Sequence, residues 1–267
     1  MSLSRDEIVA ANRAGWNEAA PLHAKQKLDD LLAAFKTPGY SCLDEVETRY
    51  LSEIGVAGRD VAQLCCNNGR ELISVKNIGA ARCVGFDLSD EFIAQARRIT
   101  EAAGVDCDFV QGDINDIPAE YDAGFDLIYI TIGALCWMPD LTAFFAVAAR
   151  LLRPGGQVLI YEAHPILGVF DPFDDQEPPV WHHSYFKREP FVDHDGLDYY
   201  GGATYQSKPL ITFQQTMAEI VTACLSNRLA VERFEEFGHD ISNAFAHLER
   251  RDARLPLSYV LVLRKGD

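Results

Sequence analysis

Read for the spacing of its apolar positions, the chain changes rhythm twice. From Asp60 to Glu162, short runs rich in β-branched and aromatic residues alternate with longer stretches of helical spacing, the pattern of a parallel sheet covered by helices. "DVAQLC", "RCVGFDLS", "CDFVQGD", "FDLIYIT" and "GQVLIYE" are the expected strands. The first is followed by a helix ending near Gly79. The second leads to one whose apolar face holds Ile93, Ala96, Ile99 and Ala103, with Ser89 as its cap and Asp90 and Glu91 in its first turn. Between the last two strands, Pro139 to Leu152 reads as an amphipathic helix stopped by "RPGG".

Outside this region the periods differ. The stretch "RDEIVAANRAGWNEAAPLHAKQKLDDLLAAF" shows helical spacing and no strand alternation, with Pro21 expected to break it in two. After Glu162 comes a segment rich in Pro, Asp, Gly and aromatics. Phe170, Phe173, Trp181, Tyr185, Phe186, Phe191, Tyr199 and Tyr200 argue against disorder and for a partly ordered lid or short added strands over the ligand-binding edge. A helix is expected over "ITFQQTMAEIVTACLSNR", then two strands, "AVERFEEF" and "LSYVLVLRK", that can pair antiparallel at one edge. The expectation is one α/β domain, a doubly wound, mostly parallel seven-stranded sheet with an antiparallel edge strand. Within it, 1–58 form a helical cap, 59–163 the ligand-binding half, 164–210 the lid insertion and 211–267 the C-terminal helix and edge strands.

Composition narrows the ligand. A net charge of −16 opposes a phosphate-backbone partner, since nucleic-acid affinity comes largely from Lys and Arg. A compact neutral or cationic molecule fits better. No apolar run is long enough to span a bilayer and the start lacks a signal peptide's apolar core, so a cytoplasmic protein with no membrane partner is expected. The seven cysteines form no CxxC pair, which points to small core residues rather than disulfides or zinc.

In open parallel sheets, ligands bind beyond the carboxyl ends of the strands where strand order reverses. This nominates Cys65 to Gly69, the ends of "GFD" and "QGD", and the "TIGA" turn. Asp87 follows Gly69 by 18 residues, close to the spacing of about 20 at which an acidic residue meets a ribose. Asp113 ends the next strand, placed to reach the same nucleoside. Only one glycine remains in "CCNNG". A dinucleotide loop needs glycines so that amides can approach a pyrophosphate, whereas a ligand without phosphate needs fewer, and Asn67 or Asn68 can adopt the left-handed conformation.

In order along the chain, "VAQLCCNNGRE", "VGFDLS", "VQGDINDIP", "FDLIYITIGALCWMPDL" and "LLRPGGQVLIYEAHP" resemble the class I S-adenosylmethionine-dependent methyltransferases. The resemblance is closest to bacterial small-molecule-type members carrying LCWxPDL and ExHP motifs and an N-terminal "WNEAAPxH" segment. It implies a Rossmann-like fold with S-adenosylmethionine as cofactor. Backbone groups around Cys65, Asn67, Asn68 and Gly69 would hold the methionyl end, Asp87 with Leu88 the ribose, and Asp113 with Ile114 the adenine. Thr131 would line the pocket, and Trp16 and His23 would cover its mouth. The chain departs from the family at Gln63, where the first acidic residue stands, and at Cys65 and Asn67, two of its usual glycines. The "TIGALCW" stretch lacks the Asn/Asp-Pro-Pro-aromatic tetrad of enzymes that methylate exocyclic base nitrogens.

Methyl transfer from a sulfonium depends mainly on alignment in a dry pocket, and a base is needed only for acceptors that must first lose a proton. His164, two residues beyond the strand "QVLIYE", is the candidate for that role or for orienting the acceptor. Glu162 could bond the acceptor or fix the histidine. His182, His183 and His194 read as ordinary lid residues, and His239 and His247 as solvated. The acceptor is expected to be apolar or aromatic and the protein a monomer or homodimer. Two other readings stand beside this one: a non-catalytic module that binds the adenosyl ligand or scaffolds a partner, and an NAD(P)-dependent oxidoreductase, which would want a fuller G-x-G-x-x-G.

Overall fold

A computed structural model describes residues 3–172, 176, 178–197, 205–251 and 254–266. Its centre is a seven-stranded sheet in the order β3-β2-β1-β4-β5-β9-β8. The strands are β1 (Asp60–Leu64), β2 (Arg82–Asp87), β3 (Asp108–Gln111), β4 (Phe125–Ile130), β5 (Leu152–Ala163), β8 (Leu229–Phe237) and β9 (Ser258–Lys265). Strands β1 to β5 pair in parallel. β9 runs antiparallel to both β5 and β8, so the two C-terminal strands close that edge as an antiparallel pair. The doubly wound sheet expected from the apolar pattern is the one observed.

Each strand of the parallel part is apolar on both faces, as a sheet covered on both sides requires. On one face pack α4 (Arg70–Asn77), α5 (Asp90–Ala103) and the N-terminal helices, with Leu72, Ile73, Ile93 and Ala96 set against Val61, Leu127 and Leu159. On the other, α6 (Leu141–Leu151) and α7 (Met217–Ser226) bring Phe144, Phe145 and Ile220 against Leu64, Ile128 and Ile160. Ser89 caps α5 as expected, its hydroxyl accepting from the Phe92 N–H.

Two expectations are corrected. The helix α1 (Arg5–His23) does not break at Pro21; it continues through a π turn, Ala24–Leu28, into α2 (Asp29–Phe35). Proline has no N–H to give and crowds the carbonyl four residues back, and a widened turn directly after it lets the helix run on without interruption. α3 (Glu45–Ile54) follows, opened by a reciprocal capping box between Asp44 and Glu47.

The second correction concerns the helix expected from Ile211. It begins only at Met217, where Thr216 and Glu219 form a capping box. The preceding residues form β7 (Leu210–Thr212), paired antiparallel with β6 (Phe191–Asp193) in a separate two-stranded sheet. The β-branched Ile211 and Thr212 suit a strand, and the partner it pairs with lies in the lid.

Candidate functional site

The strand order reverses between β1 and β4, so the crevice lies over the carboxyl ends of β1, β2 and β4. The turn after β1 has an unusual backbone. Cys65, Asn67 and Gly69 all have positive φ, at 56°, 50° and 71°. The turn therefore holds three left-handed positions with one glycine. Asn67 holds its conformation through its own side chain, Oδ1 accepting the Asn68 N–H at 2.8 Å. Asn68 itself is not left-handed, and Cys65, which the sequence did not nominate for this, is. A non-glycine residue there costs about 1–2 kcal/mol, held in place by the bonds around it. A Cβ at Gly69 would lie 2.4 Å from the Phe109 ring, so a side chain there would have to displace that ring. Burial pushes the thiols of Cys65 and Cys66 well above their ordinary pKa, so neither is a ready nucleophile.

Asp87, at the end of β2, ties this turn down. One oxygen accepts the Asn67 N–H at 2.7 Å and the other the Ser89 N–H at 2.8 Å. Burial raises its pKa to about 6 against the lowering effect of those amide bonds. Each oxygen keeps a lone pair for a further donor. The next residue, Leu88, offers its carbonyl to Gln111 Nε2 at 2.9 Å. Asp113, after β3, caps the turn Ile114–Asp116 through the Asn115 N–H at 2.9 Å. Its other oxygen is ion-paired with Arg5. Ile114 is buried in the core on the α6 side.

Helix α1 lies across the loops that follow β2, β3 and β4. Besides the Arg5 pair, Arg13 meets Asp90 at 2.7 Å, and Asn17 Oδ1 accepts the Ser89 hydroxyl at 2.6 Å. Trp16 presents an edge to Phe92 at 5.8 Å and to Trp137 at 5.1 Å. His23 is buried in the last turn, against Phe92 and the Leu197 carbonyl, and so faces α5 and the lid rather than the 65–69 turn. The lid grips the outer side of α1: the Asn12 amide bonds the Ile211 N–H at 2.7 Å and its carbonyl at 2.9 Å. Phe213 and Gln215 then tie the lid to the loop after β4.

Beneath the turn, Gln63 is fully buried and donates from Nε2 to the Thr131 hydroxyl at 3.1 Å. Its carbonyl oxygen has no partner among the described residues. Thr131 is buried directly after the end of β4.

The end of β5 is arranged differently. Glu162, 5% exposed, accepts four backbone N–H groups, from Gly133 at 2.6 Å, Ala163 at 2.8 Å, Ala134 at 2.9 Å and Leu135 at 3.3 Å. It therefore pins the loop carrying Thr131 and Trp137 and makes no bond to His164. His164 caps the turn Pro165–Val169: Nδ1 accepts the Ile166 N–H at 3.1 Å, and Nε2 lies 3.0 Å from Glu236. Burial holds its pKa below the ordinary value although Glu236 pulls the other way. With Nδ1 accepting, Nε2 carries the proton, and neither nitrogen is open to take one.

The lid aromatics do not form a single lining. Phe170 is buried with Leu167, Val169, Leu248 and Leu257, and the Tyr185 hydroxyl accepts the Met217 N–H at 2.9 Å. Trp181 and Phe186 face outward, 72% and 67% exposed. Phe173, Tyr199 and Tyr200 lie outside the described residues. His182 and His183 both meet Asp171, and among the described residues no group of three such side chains could hold a metal ion. His239 is not simply solvated, since its Nε2 meets the Tyr161 hydroxyl at 2.9 Å. Sequence reasoning missed Arg5, whose partner stands 108 residues away. It had read Gln63 only as a departure.

Residues 61–156 match the model of a family described as a methyltransferase domain. The fatty-acid O-methyltransferase of Mycolicibacterium smegmatis is 28% identical over 166 residues, 61% of this chain and 56% of that protein. The chain's matches span roughly a third to just over half of the length of such curated relatives. Among solved structures, an S-adenosylmethionine-dependent methyltransferase from Mesorhizobium loti superposes with a TM-score of 0.60 at 21% identity, covering 82% of this chain and 97% of that one. A geranyl diphosphate C-methyltransferase from Streptomyces coelicolor A3(2) gives 0.64 at 14% identity, covering 99% and 100%. The chain has the class I S-adenosylmethionine-dependent methyltransferase fold. Among the described residues no helix is long and apolar enough to cross a membrane.

Proposed function

We propose that this chain, built on the class I S-adenosylmethionine-dependent methyltransferase fold, transfers the methyl group of S-adenosylmethionine to a small neutral or cationic acceptor of apolar or aromatic character. The observation that carries the reading is the turn of Cys65, Asn67 and Gly69, left-handed at all three positions and fastened to Asp87. Keeping that turn with Cys and Asn costs free energy that a site without a ligand would have no reason to retain.

When bound, S-adenosylmethionine supplies an electrophilic methyl group on a sulfonium sulfur. Asp87 would accept from the ribose hydroxyls on its free lone pairs, and the backbone from Cys65 to Gly69 would hold the amino-acid end. Asp113 would reach the adenine edge after exchanging its Arg5 partner. Trp16 and Trp137, in edge contact, would close the mouth and exclude water, which strengthens every polar contact beneath them. Glu162 would keep the loop after β4 in place, so that alignment supplies most of the acceleration. With both nitrogens of His164 engaged, the acceptor would arrive already deprotonated or lose its proton to solvent before the mouth closes. The names of the relatives, a fatty-acid and a geranyl diphosphate methyltransferase, support a small-molecule acceptor, and the net charge of −16 disfavours nucleic acid.

The locked state of Glu162 and His164 also favours a second reading, a module that binds the adenosyl ligand without transferring its methyl group. Calorimetry with S-adenosylmethionine and S-adenosylhomocysteine should show micromolar binding, and absence of heat and of any thermal shift with both would defeat both readings. Tritiated methyl transfer into a metabolite extract, lost in Asp87→Ala, separates the enzyme from the module.

A further inference from the structure

We propose that Cys83 and Cys107 form a dithiol that peroxide oxidises to a reversible disulfide, a modification site at the amino ends of β2 and β3, away from the rim described above. Cys83 is the second residue of β2 and is buried, while Cys107 directly precedes β3 and is half-buried. The parallel ladder pairs Val84 with Asp108, so one step back it sets Cys83 beside Cys107. Both pack on the face covered by α4 and α5. The inference does not depend on which ligand the rim binds.

Directly opposed residues of neighbouring strands sit about 4.8 Å apart at Cα, inside the range of about 4.4–6.8 Å that a disulfide spans. The two thiols are also in contact. That contact first, and burial second, hold the Cys83 thiol far above its ordinary pKa, so Cys83 keeps its proton and directs it at the Cys107 sulfur. Other thiols are engaged elsewhere: Cys42 meets Ser74 Oγ at 3.3 Å, Cys66 the Asn67 carbonyl at 3.8 Å and Cys136 the Gly133 carbonyl at 3.7 Å.

Cys107 is the sulfur that a small oxidant reaches, because Cys83 lies beneath it, 1% exposed. The Cys107 sulfur attacks one oxygen of hydrogen peroxide and the O–O bond breaks. The thiol proton leaves with the other oxygen as water, and Cys107 becomes a sulfenic acid. The Cys83 sulfur then attacks that of Cys107, its proton passes to the departing hydroxyl, a second water leaves and the S–S bond forms. Together the two thiols lose two electrons, which the peroxide gains. Cys107 belongs to the connection between α5 and β3, outside the paired residues of the strand, and so has freedom to turn toward its partner. Opposed side chains on a sheet stand side by side rather than face to face, so the bond closes under strain, and strained disulfides are the readily reduced ones.

The test treats the reduced full chain with hydrogen peroxide and counts free thiols after denaturation. The count should fall from seven to five as these two are lost. Peptide mapping by mass spectrometry should place the bond between Cys83 and Cys107, and dithiothreitol should restore all seven thiols. Cys107→Ser should keep its six remaining thiols under the same treatment. Cys83→Ala, which lacks the resolving sulfur, should carry Cys107 on to the sulfinic acid; where that core variant folds poorly, the surface-side Cys107→Ser serves alone. A wild-type chain that keeps all its thiols overturns the proposal. So does a bond joining any other pair, within one chain or between two, or over-oxidation of Cys107 with no bond to Cys83.

Discussion

The carboxyl ends of β1 and β5 sit on the same rim of the same sheet and handle their polar atoms in opposite ways. At β5, each Glu162 oxygen accepts at least two backbone amides and both nitrogens of His164 are engaged within the chain. At β1 and its neighbours, the Gln63 carbonyl has no partner among the described residues, Asp87 retains lone pairs, and Cys65 sits in a conformation its side chain disfavours. One end satisfies its own polar atoms, and the other keeps acceptors that the proposed function would use. Residue type alone does not separate them, because a Glu and a His look more chemical than a Gln. The balance of donors and acceptors does.

The largest expected effect tests this directly. Glu162→Leu strands four backbone N–H groups at once, two of them fully buried. It should lower the free energy of unfolding by about 3 kcal/mol or more, read from urea denaturation. Gln63→Leu, which removes an unsatisfied carbonyl together with the one hydrogen bond to Thr131, should cost less than about 1 kcal/mol. Similar losses in the two variants would erase the distinction between the rim's two ends.

The same contrast marks what could be read in advance. Strands β1, β2, β4, β5 and β9 were legible because strands buried on both faces are dominated by apolar residues; the mostly exposed β8 carries no such run. Asp87 was legible from its spacing after Gly69. β7 was not, because Leu210–Thr212 becomes a strand only by pairing with Phe191–Asp193 across the lid. The role of Glu162 was not, since a strand's last residue carries no mark of the loop that folds back onto it. Nor was the pairing of Arg5 with Asp113, which depends on where α1 comes to rest. Local propensity shows the elements; the partners of isolated polar side chains come from tertiary structure.

A medium effect is expected at Asp87. The ionised carboxylate is the better acceptor for ribose hydroxyls, and burial has raised its pKa to about 6. Ligand binding favours the ionised form. Affinity should therefore be full above that value and fall as pH drops through it. Asp87→Asn should lose about tenfold to a hundredfold in affinity and flatten the dependence, as measured by calorimetry across the range. A pH step that survives the substitution would assign the titration to another group.

The smallest effect belongs to His164. Its folded pKa is lowered from 6.5, chiefly by burial. The unfolded chain therefore binds this proton more readily than the folded one, so the imidazole's stabilising contribution is full above 6.5 and shrinks as pH falls through that value. His164→Ala should cost about 1 kcal/mol at alkaline pH, the usual loss of one cap and one hydrogen bond, and less in mild acid. Adenosyl-ligand affinity should stay within about twofold, because the residue touches the turn Pro165–Val169 and Glu236 rather than the rim over β1. A variant as stable as the wild type but with collapsed methyl transfer would reverse the assignment: the imidazole would then have to leave its cap during turnover, and the end of β5 would be as much a working part of the site as the end of β1.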